Sequence, residues 1–299
     1  MKKTLYFLVL LVVLIACKKD NDNRSETRLV KKTNNDGNAG EVFKYDASGR
    51  IFGKADLKTN EMVATISYNG NEAIILRSHS NAGVIIENEV RISFDSEGKP
   101  ISRILRASLE YISPNVPPQR DYVNDTLLYE YDAQGLLKRT VGRSFDSTWF
   151  NPNDLEIQSH RTESITTYTV SGGNVSGSVQ VSSIGGMHWF RGTEFKYFEN
   201  IEDTYSYEYS KQYPNKTDFS NGALLNEFEV TPFLLNKNYK NMPDKITRTK
   251  ISRDKNGVTM STYNSVLDFT LEYDSKGYLS GIKNNAGVPP NEKFYFVYQ

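Results

Sequence analysis

The chain has 299 residues, enough for one large β domain or two small ones, and its 36 Lys and Arg balance 36 Asp and Glu. Such a balance implies no basic face, which argues against nucleic-acid binding. One cysteine excludes an intramolecular disulfide, so stability must come from burying side chains, 19 Tyr and 15 Phe among them.

The first element is a targeting segment. Lys2 and Lys3 make a basic start, Leu5 to Leu14 is an almost unbroken apolar run, and Leu14-Ile15-Ala16-Cys17 closes it. The run is short of the ~20 residues of a membrane span and fits a signal-peptide core. The closing tetrapeptide resembles the lipobox of bacterial lipoproteins. That resemblance implies a signal peptide over residues 1–16, cleavage before Cys17 and a diacylglycerol on its sulfur, making the membrane a partner through the anchor. Residues 17–40 read as a polar, flexible tether. Lys18-Lys19-Asp20-Asn21-Asp22 resembles the surface-export signal of Bacteroidota lipoproteins. The expected location is therefore the outer membrane at the cell surface, with a periplasm-facing anchor as the alternative.

From residue 41 to 299 one phrase recurs: an aromatic, Asp, two variable residues, Gly. It stands at Tyr45-Asp46 to Gly49, Phe94-Asp95 to Gly98, Tyr131-Asp132 to Gly135 and Tyr273-Asp274 to Gly277. A copy at Asp254–Gly257 lacks the aromatic. Asp suits the first position of a type I turn, where its carboxylate accepts bonds from the amides that follow. Gly three residues on supplies the positive φ that closes a bulged hairpin, and the aromatic can pack across to the outgoing strand. Each copy joins stretches of period-two alternation, so hairpins are predicted at 42–52, 84–106, 127–141 and 266–273 onward. Asn69-Gly70 marks a further one between Thr65–Tyr68 and Ile74–Leu76.

Other stretches read as irregular. Pro114, Pro117 and Pro118 predict a loop. Ser144–His160, with Trp149 and Pro152, reads as a long loop, and Gly185-Gly186-Met187-His188-Trp189-Phe190 as a loop tip. Strands are predicted at 163–170, 174–182 and 194–198, along Tyr205, Tyr207 and Tyr209, and at 245–253, 258–263 and 294–298. The prolines of 213–244 break the pattern, with one short helix expected near 223–229. No stretch sustains helical periodicity, so the fold class is all-β: an antiparallel meander of many hairpins in a single domain, rolled into a barrel-like or sandwich sheet.

The Tyr-Asp-x-x-Gly-Leu phrase of Tyr131–Leu136 resembles the YD repeat of RHS-type bacterial proteins, whose dense arrays wind a sheet into a shell. The irregular spacing here is too sparse for a shell. The chain is more similar to Bacteroidota lipoproteins of unknown function that carry like phrases, a resemblance that brings no catalytic residues with it.

No chemistry stands out in the sequence. His79, His160 and His188 form no zinc-ligand pattern, and there is no nucleophile elbow, phosphate loop or dinucleotide fingerprint. The Asp residues of the turns lack the ligand spacing and terminal Glu of a calcium loop, so no metal or cofactor is expected. Trp149 and the His188-Trp189 pair are the candidate ligand contacts, since an exposed indole stacks on a sugar ring; the competing reading places both indoles over the core. Asp125-Thr126-Leu127 and Asp146-Ser147-Thr148 resemble the three-residue O-glycosylation signal of Bacteroidota, making Thr126 and Ser147 candidate sites. The functional expectation is a non-catalytic envelope lipoprotein, a surface-exposed binding or scaffold module for a glycan or an envelope protein. The alternative is an envelope glycan hydrolase using a carboxylate pair.

Overall fold

The computed structural model describes residues 29–33, 39–81, 84–113, 116–150, 156–190, 193–209, 241–285 and 293–298. The expected signal peptide, Cys17 and the expected helix near 223–229 lie outside them. Sixteen antiparallel strands among the described residues form one closed barrel, each strand paired with its neighbours in the chain and the first with the last. They are β1 (Leu29–Thr33), β2 (Gly40–Tyr45), β3 (Ile51–Asp56), β4 (Met62–Asn69), β5 (Glu72–Asn81), β6 (Val84–Phe94), β7 (Pro100–Ser113) and β8 (Val116–Tyr131). The second half comprises β9 (Leu137–Phe150), β10 (Glu156–Ser171), β11 (Asn174–Phe190), β12 (Thr193–Glu208), β13 (Lys245–Arg253), β14 (Thr259–Tyr273), β15 (Leu279–Asn284) and β16 (Lys293–Tyr298). The all-β antiparallel meander is thus the observed architecture, and its closed form is the barrel.

Several local expectations differ from the structure. Residues 29–33, read as tether, form the strand that closes the ring against β16. The proline stretch after 113 begins β8, and the 144–160 segment is occupied by the ends of β9 and the start of β10. Gly185 and Gly186 are strand residues within β11, not a loop tip. At Gly185 and Gly186 ladder bonds from β10 and β12 outweigh the preference of Gly for irregular backbone.

The turn phrase has one repeated geometry. Asp46 Oδ1 accepts the amides of Ser48 and Arg50, both at 2.9 Å. Asp132 does the same with Gln134 and Leu136 at 2.9 and 2.8 Å, and Asp95 and Asp274 repeat it. Gly49, Gly98, Gly135 and Gly277 hold φ between 78° and 84°. A bulge sits at each copy, so the aromatic pairs with the residue six further on: Tyr45 with Ile51, Phe94 with Pro100, Tyr131 with Leu137, Tyr273 with Leu279.

These four turns lie at one end of the barrel, with those at Gly70 and Gly172-Gly173; the copy at Asp254, which lacks the aromatic, lies at the other. Strand-end tyrosines there reach back across the wall. Tyr68 donates its hydroxyl to Ile51 O at 2.7 Å, Tyr131 to Pro100 O at 2.8 Å and Tyr209 to Val175 O at 2.7 Å. The contact is with the preceding strand rather than the outgoing one. Burial raises the Tyr68 phenol to about 12.

The core fills this turn end. Phe43, Ile51, Ile66, Ile75, Val90, Ile92, Leu271, Leu279, Ile282 and Phe296 form one buried cluster, against which Tyr45, Tyr68, Phe94 and Tyr273 pack. A ring of sixteen strands is wide enough for a water channel. Here Ile51, Ile75, Ile92 and Leu279 are 0–1% exposed, so the inner face at the turn end is packed with apolar side chains. Toward the opposite rim the inner face turns polar.

Candidate functional site

Register and alternation define the two faces of the wall. Ala73, Ile75, Val90 and Ile92 face the core, so the odd residues of β5 and the even residues of β6 point inward. Carrying the register around places Asp125, Asp146, His160, Ser182, Asp203 and Arg248 inside. These inner polar groups pair with one another, as burial requires. Arg103 meets Asp125 at 2.7 Å. Arg248 grips Asp203 with both ends of its guanidinium, at 2.7 and 2.6 Å, and that bond raises the Arg248 pKa.

Near the open rim the inner face holds one row of cross-strand neighbours: Asp146, His160, Gly186 and Tyr197. His160 Nδ1 lies 2.7 Å from Asp146 Oδ1, and the imidazole meets the Tyr197 ring edge-on at 5.5 Å. Gly186 makes room for that ring, since a Cβ there would sit 2.0 Å from Tyr197 Cζ. Among the described residues no group of three or more His, Cys, Asp or Glu side chains could hold a metal ion.

The outer face carries charge in row after row. Arg91 contacts Glu89 at 2.7 Å, Arg120 contacts Glu110 at 2.7 Å, and Arg253 contacts Glu202 at 3.1 Å. At mid-height of the longest strands, Arg161 and Arg143 both reach Glu163, at 3.5 and 3.7 Å, and both arginines are more than 70% exposed.

A cleft of about 650 Å3 opens on this outer face across β5 to β9. Its floor is a continuous cross-strand row, Leu76–Glu89–Arg106–Asn124–Phe145. The next row toward the rim adds Glu87 and Tyr122. Tyr122 and Phe145 are 45% and 49% exposed and stand diagonally on adjacent strands. Glu87 and Glu89 are two residues apart on one face of β6. The hydrogen bond from Arg91 holds the Glu89 carboxyl below its ordinary pKa.

The residues singled out in the sequence fall as follows. Trp149 and Trp189 occupy one register row near the rim, on either side of Ile157. Trp189 is half-buried, ending β11 rather than tipping a loop. His188, one position earlier, belongs to the inner face, its ring 6.0 Å from that of Phe195. The tryptophan row and the cleft share β9 but do not coincide, and His188 joins neither. Thr126 and Ser147 sit on the outer face, Ser147 opposite Tyr122. The cleft residues went unnoticed in the sequence because they come from five strands with no local motif. Their one legible signal is an aromatic or a charge at an outward position of an alternating strand.

No family model and no curated protein matches the chain. Two of the solved structures that resemble it are porin-like proteins. One is a porin-like protein from Bacteroides vulgatus ATCC 8482, 13% identical, covering 91% of this chain and 99% of its own, with a TM-score of 0.48. The other is a porin-like protein from Bacteroides uniformis ATCC 8492, 10% identical, covering 87% of this chain and 91% of its own, with a TM-score of 0.41.

Proposed function

We propose that this chain is a non-catalytic lipoprotein of the outer membrane, held at the cell surface by Cys17, whose barrel stands in water as a binding module. The observation that carries this reading is the charged outer wall. Strands of 14–17 residues are long enough to cross a bilayer. A membrane barrel, however, shows lipid an apolar band about 25 Å tall, and an Arg at its midplane costs about 2–4 kcal/mol. Arg106, Arg143 and Arg161 occupy mid-height outward positions together with Glu163, and no such band exists across β6 to β12. No helix among the described residues is long and apolar enough to cross a membrane. Attachment then falls to the lipid on Cys17, and the Lys18–Asp22 cluster supports export to the outer face.

Carboxylate pairing favours binding over hydrolysis. A glycosidase needs one carboxyl kept protonated near neutral pH. In the cleft Glu89 is shifted the opposite way by Arg91.

The test has three arms. Cys17→Ser should leave the protein unprocessed or released from outer-membrane fractions. Protease added to intact cells should remove the anchored protein. The chain from Lys18 onward should stay monomeric in detergent-free buffer and produce no conductance in planar bilayers. A requirement for detergent, or discrete channel openings, would overturn the reading.

A further inference from the structure

We infer that the outer cleft across β5 to β9 is a saccharide-binding site for a neutral oligosaccharide chain. This rests on the reading of the barrel as a water-facing binding module and names its ligand and its place. A sugar ring offers an apolar face of C–H groups and a rim of hydroxyls that both donate and accept. The cleft holds the complement of each. Tyr122 and Phe145 present two half-exposed rings one strand apart, area that water solvates poorly and that a pyranose face covers well. Beside them Arg106 and Asn124 supply donors, and Glu87 and Glu89 supply acceptors. Glu87 and Asn124 make no side-chain hydrogen bond or ion pair among the described residues, so their capacity is open to a ligand.

Glu87 and Glu89 against Arg77 and Arg106 leave the cleft without a net charge, and Glu89 is already paired with Arg91, so nothing in it favours uronic or sialic acids over uncharged sugars. The floor row is set by backbone pairing across five strands, so the groups are held in place before a ligand arrives. The cleft runs across the strands, so several sugar units can lie along it.

Calorimetry of the chain from Lys18 onward against cellohexaose, maltohexaose, mannohexaose and xylohexaose tests the inference, with hexagalacturonate as the anionic control. At least one neutral hexaose should bind, and hexagalacturonate should not. Tyr122→Ala and Phe145→Ala should each weaken binding about tenfold or more, the scale of a stacking contact at the centre of a site. Their thermal midpoints should stay near that of the parent, because both rings are already exposed. Trp189→Ala, on the neighbouring row, should leave affinity unchanged. No binding to any of the four, equal binding of hexagalacturonate, or loss through Trp189→Ala alone would overturn the site. Those failures would leave detergent-free solubility and anchoring through Cys17 intact, so they are distinct from a failure of the proposed function.

Discussion

Asp46 shows how much one side chain does in a surface turn. Its carboxylate accepts the Arg50 and Ser48 amides and the Ser48 hydroxyl, and these bonds bring its pKa to about 2 from the ordinary 3.8. A carboxyl depressed in the folded state stabilises fully above its unfolded pKa, and that contribution fades as pH falls through the folded value. Asp46→Asn should therefore lower the thermal midpoint at neutral pH, and the gap between variant and parent should close between about pH 4 and pH 2. A melting series across that window checks it. Gly135 carries the other half of the motif, with φ at 78°. Gly135→Val should cost more than about 1 kcal/mol, whereas Ala133→Val in the same turn should change stability by less than about 0.5 kcal/mol. Denaturant midpoints of the two variants give the comparison. Asp and Gly are legible in the sequence because their roles are local, fixed by residues at most four apart. The cleft was not legible, since Glu89 meets Arg106 only through a register that no short window contains.

At the scale of an element, β11 is the instructive strand. Gly185, Gly186 and the residues after them read as a loop tip because glycine weakens a strand. In the barrel the strand persists to Phe190, held by β10 on one side and β12 on the other. Gly186 is present because the Tyr197 ring occupies the space of a side chain. Gly186→Ala should destabilise the barrel by less than about 1 kcal/mol, because the half-exposed Tyr197 ring can turn aside from the added methyl. Tyr197→Ala should remove most of that penalty, so the double variant should be more stable than the sum of the singles. A double-mutant cycle by chemical denaturation measures the coupling. Alternation was visible wherever one face is buried, as in β5 and β6, and it failed near the rim. There Gly185 and Gly186 obscure a period that cross-strand bonds impose regardless, and Pro117 and Pro118 stand where the ladders to β7 and β9 record no pair.

Across the whole molecule, the meander could be read from successive hairpins, but the choice between barrel and sandwich could not. That choice is made by a single ladder between β1 and β16, two segments at opposite ends of the chain. Ending the chain at Asn285 should remove this ladder and leave β1 and β15 as bare edges. Such a variant should associate through those edges, and light scattering should show species larger than the parent monomer. The same ladder also imposes an order on biosynthesis. Every other pairing joins neighbours in the chain and can form as soon as a hairpin is complete, but the ring has no final form until residues 293–298 exist. A chain that has not yet made residues 293–298 is an open ribbon, and closure can only follow the hairpins that precede it.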